Sequence, residues 1–112
     1  MSDYQLASDT KFQLASDTKF QLAIDLNALA ETLTELSKDT NSVIRSYVAK
    51  NPNTPIQTLI ELSKDKLWNV RRSVVCNPNT PIEVLIELSK DKDEEVRCCV
   101  TAARINRISL LK

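Results

Sequence analysis

The sequence predicts an all-α solenoid of two-helix repeats, and three observations carry that prediction. Glu35-Leu-Ser-Lys-Asp39 returns as Glu61 to Asp65 and Glu87 to Asp91, and Asn51-Pro-Asn-Thr-Pro55 returns as Asn77 to Pro81, always 26 residues on. Between these markers the apolar residues fall at helical spacing. The 112-residue chain has no glycine, the residue that tight hairpins and phosphate-cradling loops rely on. A two-helix unit with one apolar stripe per helix cannot bury it alone, so neighbours must stack. About three complete units fit, residues 28–50, 54–76 and 80–102.

Residues 1–24 follow another rule. Gln5-Leu-Ala-Ser-Asp-Thr-Lys-Phe12 recurs without change as Gln13 to Phe20 and begins again at Gln21-Leu22-Ala23, which reads as an in-frame duplication. The apolar residues Tyr4, Leu6, Phe12, Leu14, Phe20 and Leu22 all have even numbers and would share one strand face, whereas an eight-residue step drifts around a helix. Yet Asp9 and Asp17 can cap short helical turns, and Leu22-Ala23 aligns with Val48-Ala49 in the 26-residue register. The expectation is helical turns capping the first repeat, with a disordered segment as the alternative.

Residues 25–112 are read as the solenoid. In each unit Thr54 or Thr80 precedes a proline and is followed three residues later by Gln57 or Glu83, which predicts an N-cap, proline at the first helical position and a capping box. Ile56, Leu59, Ile60 and Leu62, then Ile82, Leu85, Ile86 and Leu88, form the inward face of a helix running to about Lys64 or Lys90. A second helix of about two turns, partly 3₁₀, places Ile44 and Val48, Val70 and Val74, and Val96 and Val100 inward. Asn51 and Asn77 are expected to close it in the left-handed conformation, ahead of proline. A truncated fourth unit is expected to start a new helix at Asn106, with Ile108 and Leu111 inward.

Residues 70–91, Val-Arg-Arg-Ser-Val-Val-Cys-Asn-Pro-Asn-Thr-Pro-Ile-Glu-Val-Leu-Ile-Glu-Leu-Ser-Lys-Asp, resemble a unit of the leucine-rich repeat variant family of bacterial proteins. The resemblance covers roughly residues 25–112 and is strongest over 43–102. It implies a right-handed superhelix of alternating α and 3₁₀ helices, and binding to other macromolecules. One member of that family carries an iron–sulfur cluster on cysteines ahead of its repeats. No cysteine precedes Cys76 here, so that property does not transfer.

Composition narrows function further. There is no histidine, which removes the usual general base, the common nucleophile pairs and the commonest zinc ligand. Fifteen acidic and fifteen basic residues balance, but residues 1–36 carry a net −4 and residues 37–112 a net +4. No long apolar run and no signal-peptide pattern is present, and the odd set Cys76, Cys98 and Cys99 suits a reducing compartment, so a cytoplasmic protein without cofactor or metal is expected. Cys99 is expected to border the core and Cys76 to be exposed.

Arg45, Arg71 and Arg97 repeat in register, joined by Arg72, Arg104 and Arg107. They form either a partner-facing ridge or ion pairs with the equally periodic Asp39, Asp65 and Asp91 or with Glu94 and Glu95. Trp68 is a candidate surface anchor, tryptophan being enriched at interface hot spots. The expected binding set is Arg45, Tyr47, Trp68, Arg71, Arg72 and Arg97. The function expected is a non-catalytic protein-interaction or scaffold module with an unidentified protein partner. Nucleic-acid binding through the arginines, or a fragment of a longer array, are the alternatives. Apolar, basic residues Ile105 to Lys112 add an expectation of self-association through an uncapped end.

Overall fold

The computed structural model describes residues 15–110, with side chains as far as residue 105. Among the described residues are seven helices and no strand: α1 Ser16–Ile24, α2 Ala30–Leu36, α3 Ser42–Lys50, α4 Ile56–Leu62, α5 Trp68–Cys76, α6 Ile82–Leu88 and α7 Glu94–Leu110. The first octad, with the expected cap Asp9, lies outside them; the second runs into α1. Helices α1, α3, α5 and α7 start 26 residues apart, and so do α2, α4 and α6.

Leu33 and Leu36, Leu59 and Leu62, and Leu85 and Leu88 bury one side of the seven-residue helices, while Ile44 and Val48, Val70 and Val74, and Val96 and Val100 bury one side of the longer ones. Each such side chain contributes about 1.5–3 kcal/mol relative to exposure. Helices this short do not persist alone in water, so this burial, more than propensity, holds them. The longer helices pack in series, α1 on α3 on α5 on α7, and each seven-residue helix packs chiefly on the longer helices that flank it in sequence. The extents are 50 × 30 × 20 Å.

Local geometry corrects several expectations. The second helices are nine-residue α-helices, with no 3₁₀ segment among the described residues. An i, i+4 pair of buried β-branched residues needs α periodicity to bring both onto one side, which accounts for the difference. Pro55 and Pro81, not the threonines, occupy the N-cap position of α4 and α6, and no side-chain cap forms there. Thr54 and Thr80 instead turn their hydroxyls backwards, donating to the Val48 and Val74 carbonyls at 2.5 Å. Those carbonyls sit in the last turn of the helix and already accept the Asn51 and Asn77 N–H groups, so each buried threonine hydroxyl finds its acceptor there and adds a second hydrogen bond that ties the turn to the helix end.

The first helices stop at Leu62 and Leu88, two residues early, because Ser63 and Ser89 turn their hydroxyls onto the Ile60 and Ile86 carbonyls and the last turn tightens. Ile56, Ile82 and Ile86 are 46%, 46% and 42% exposed, so the inward face is narrower than the sequence implies; Thr58 and Val84 fill it instead. Asn51 and Asn77 are extended, at φ −71° and −78°, and no described residue has positive φ. No separate helix starts at Asn106: α7 continues for 17 residues through that point. Ala103-Arg104-Ile105-Asn106-Arg107 stands where earlier units have Asn-Pro-Asn-Thr-Pro, and without proline nothing blocks the next helical hydrogen bond. The side chains of Ile108 and Leu111, expected inward, lie outside those described.

Candidate functional site

Two ladders of polar side chains join neighbouring units. In the first, Arg45 on α3 donates from Nε and Nη2 to the Asp65 carboxylate at 2.8 and 3.2 Å, and from Nη1 to the Asp39 carbonyl at 2.8 Å. Arg71 on α5 repeats this one unit later, with Asp91 at 2.8 and 3.0 Å and the Asp65 carbonyl at 2.8 Å. Each arginine thus clamps the backbone of its own unit to the carboxylate of the next. The aspartates are set for this by accepting the backbone N–H two residues on, from Asn41, Leu67 and Asp93, which fixes the turn into α3, α5 and α7.

Lys19 on α1 forms the first rung, 2.8 Å from Asp39. Burial pushes the Asp39, Asp65 and Asp91 carboxyls up, but their cationic partners and those backbone N–H groups outweigh it and hold all three below the usual carboxylate range. The hydrogen bond to Asp91 likewise raises Arg71 above its ordinary value.

The second ladder is made of asparagine. Asn77 is fully buried, and its Nδ2 donates to the carbonyls of Ala49 and Asn51 at 2.8 and 2.9 Å, while its Oδ1 accepts from the Asn79 N–H. Asn51 binds the Ala23 and Asp25 carbonyls in the same way, at 2.9 and 2.8 Å. A planar amide with two donors and an acceptor satisfies the end of the previous helix and its own turn together, without glycine.

Arg45 and Arg71 are therefore not a partner-facing ridge. They are 8% and 6% exposed, and the pairing alternative is the one the structure displays. Of the other expected binding residues, Arg97 is exposed and Tyr47 half-buried. Trp68 is 42% exposed as the first residue of α5. Arg72, one helical turn further along the same side, is exposed and donates from Nε to Cys99 Sγ on α7 at 3.1 Å, a contact that raises its pKa. Tyr47 meets Phe20 of α1 edge-on with ring centroids 4.5 Å apart, and Lys50 Nζ lies 5.6 Å from the Tyr47 centroid.

In the layer of longer helices Trp68 and Arg72 lie on α5, Tyr47 and Lys50 on the neighbouring α3, and Cys99 on the neighbouring α7. Cys99 is half-buried against the core, and Cys76 and Cys98 are exposed. The opposite layer carries a groove of about 470 Å³ between α4 and α6, floored by Ile60, Val84 and Leu88 with Lys64 and Glu87 among its lining. Among the described residues no group of three or more His, Cys, Asp or Glu side chains could hold a metal ion, and no helix is long and apolar enough to cross a membrane.

No family model, curated protein or solved structure matches this chain. Sequence reasoning missed Lys19, whose place follows from the alignment of Leu22-Ala23 with Val48-Ala49. It also missed the asparagine side chains as links between units.

Proposed function

We propose that this chain is an α-solenoid of the leucine-rich repeat variant type that serves as a non-catalytic protein-interaction or scaffold module in a bacterial cytoplasm. The observation that carries the reading is the presence of half-exposed Trp68 and exposed Arg72 one turn apart on α5, which like α3 is flanked on both sides in its layer. Trp and Arg are the residue types that dominate interface hot spots, and hot spots lie near the centre of the contacting surface. The arginines that favoured nucleic acid lose Arg45 and Arg71 to internal pairs, which leaves a protein partner as the stronger reading.

A photo-crosslinking residue placed at position 68 or 72 in the native cell should capture a discrete protein that one at Gln57, on the other layer, does not. Equal capture at all three positions, or none at 68 and 72, would sink the proposal. End-to-end self-association is a second reading, favoured by Arg97. Its Nη1 donates to the Asp91 carbonyl as in the earlier rungs, but among the described residues no carboxylate meets its Nε and Nη2 edge. Light scattering across a concentration series should then show growing particles that R97A reduces; a monomer throughout contradicts it.

A further inference from the structure

We propose that the seat occupied by α1 accepts either of two copies of one segment, residues 15–25 or residues 7–17, so that the first helix exchanges register by eight residues. The seat is defined by Asp39, Tyr47 and Asn51. Asp39 takes Lys19 Nζ at 2.8 Å, Tyr47 takes the Phe20 ring, and Asn51 donates to the Ala23 and Asp25 carbonyls. Ala23 is fully buried beneath them.

Every residue that makes these contacts recurs eight positions earlier, as Lys11, Phe12, Ala15 and Asp17. Residues 7–17 and 15–25 differ only in having Ser16 where the second has Ile24. Ile24 is 40% exposed, so the one difference falls where the seat demands least. A ligand that satisfies the same donors, acceptors and apolar contacts has the same intrinsic affinity, and the spare copy is tethered at high effective concentration.

The two registers are not equal in population. Docking residues 7–17 lengthens the connection to α2 by eight residues, from the five of 25–29, which costs about fourfold by loop-closure scaling. It also gives up the hydrogen bond from Asn53 Nδ2 to the Leu26 carbonyl. Residues 15–25 therefore hold the seat most of the time, and residues 7–17 form the minor occupant. The chain carries a replacement for its first helix, ready when the resident one is displaced or damaged.

The test uses the full chain with its three cysteines changed to serine. In Y47C/F20C a short dithiol-reactive crosslinker should join positions 20 and 47 as the main product. In Y47C/F12C it should join 12 and 47 within monomers as a slower product, abolished by adding Q13P. Absence of an intramolecular 12–47 product, its formation only between molecules, or its survival with Q13P would each overturn the proposal.

A proline rescue supplies an independent readout. An interior proline disfavours a helix by about a hundredfold. Yet Q21P should lower hydrogen-exchange protection at Val48 and Ala49 by less than about tenfold, because the upstream copy takes the seat, whereas Q13P/Q21P should lower it by at least about tenfold more. A loss with Q21P equal to that of the double variant overturns the exchange.

Discussion

At the scale of single residues, one residue type does different work according to what meets it. Arg71 and Arg97 occupy equivalent positions, yet Arg71 clamps a nearly buried carboxylate and Arg97 lies exposed. Removing one partner of a buried pair leaves the other charge without compensation, so R71A or D91N is expected to cost about 3–5 kcal/mol. R97A should change stability by no more than about 0.5 kcal/mol. Urea denaturation of the two arginine variants side by side checks the contrast.

Because Asp39, Asp65 and Asp91 are held below the ordinary carboxylate value in the folded chain, the unfolded chain binds protons first as pH falls. Their contribution is fully present above the unfolded value of about 3.9 and is lost as pH drops through the lower folded values. The melting temperature should therefore be flat near neutrality and fall below about pH 4, less steeply in D65N than in the parent chain. N77A, which strips the buried Ala49 carbonyl of its side-chain donor and leaves the Asn51 carbonyl with the Thr54 N–H, should cost about 1–3 kcal/mol, read by urea denaturation.

At the scale of elements, helix length is set by what stops each helix. Helices α3 and α5 end where Asn-Pro follows, and α7 runs on because Ala103-Arg104 follows instead. Installing the turn in full, as A103N/R104P/I105N/N106T/R107P, should end α7 near residue 102. Backbone chemical shifts would then show loss of helix at the installed turn with α5 and α6 unchanged. Helix persisting through residue 107 would show that docking of the last segment, not the proline-free turn, sustains α7.

At the scale of the whole molecule, each longer helix meets only its predecessor and successor as principal neighbours, and both ladders run between adjacent units. Stability in such an arrangement spreads one unit at a time. D91N should therefore speed amide exchange in α5 and α7 well before it touches Ala49 in α3. Uniform loss across the chain would mean a single cooperative core.

Periodicity and proline placement are local properties, so the helical class, the 26-residue register and inward pairs such as Ile44 and Val48 are legible in the chain alone. The pairing of Arg45 with an aspartate is also visible there, as one of two options. Choosing between them takes the folded molecule: a guanidinium reaches a carboxylate twenty residues on only when the next unit brings it there. The roles of Asn51, Asn77 and Thr54 are hidden for the same reason. Their local chemistry fits a cap or a turn, but Asn51 and Asn77 reach buried carbonyls of the preceding unit, where a missing donor would cost about 1–3 kcal/mol, and Thr54 adds a second donor to the Val48 carbonyl that already accepts the Asn51 N–H.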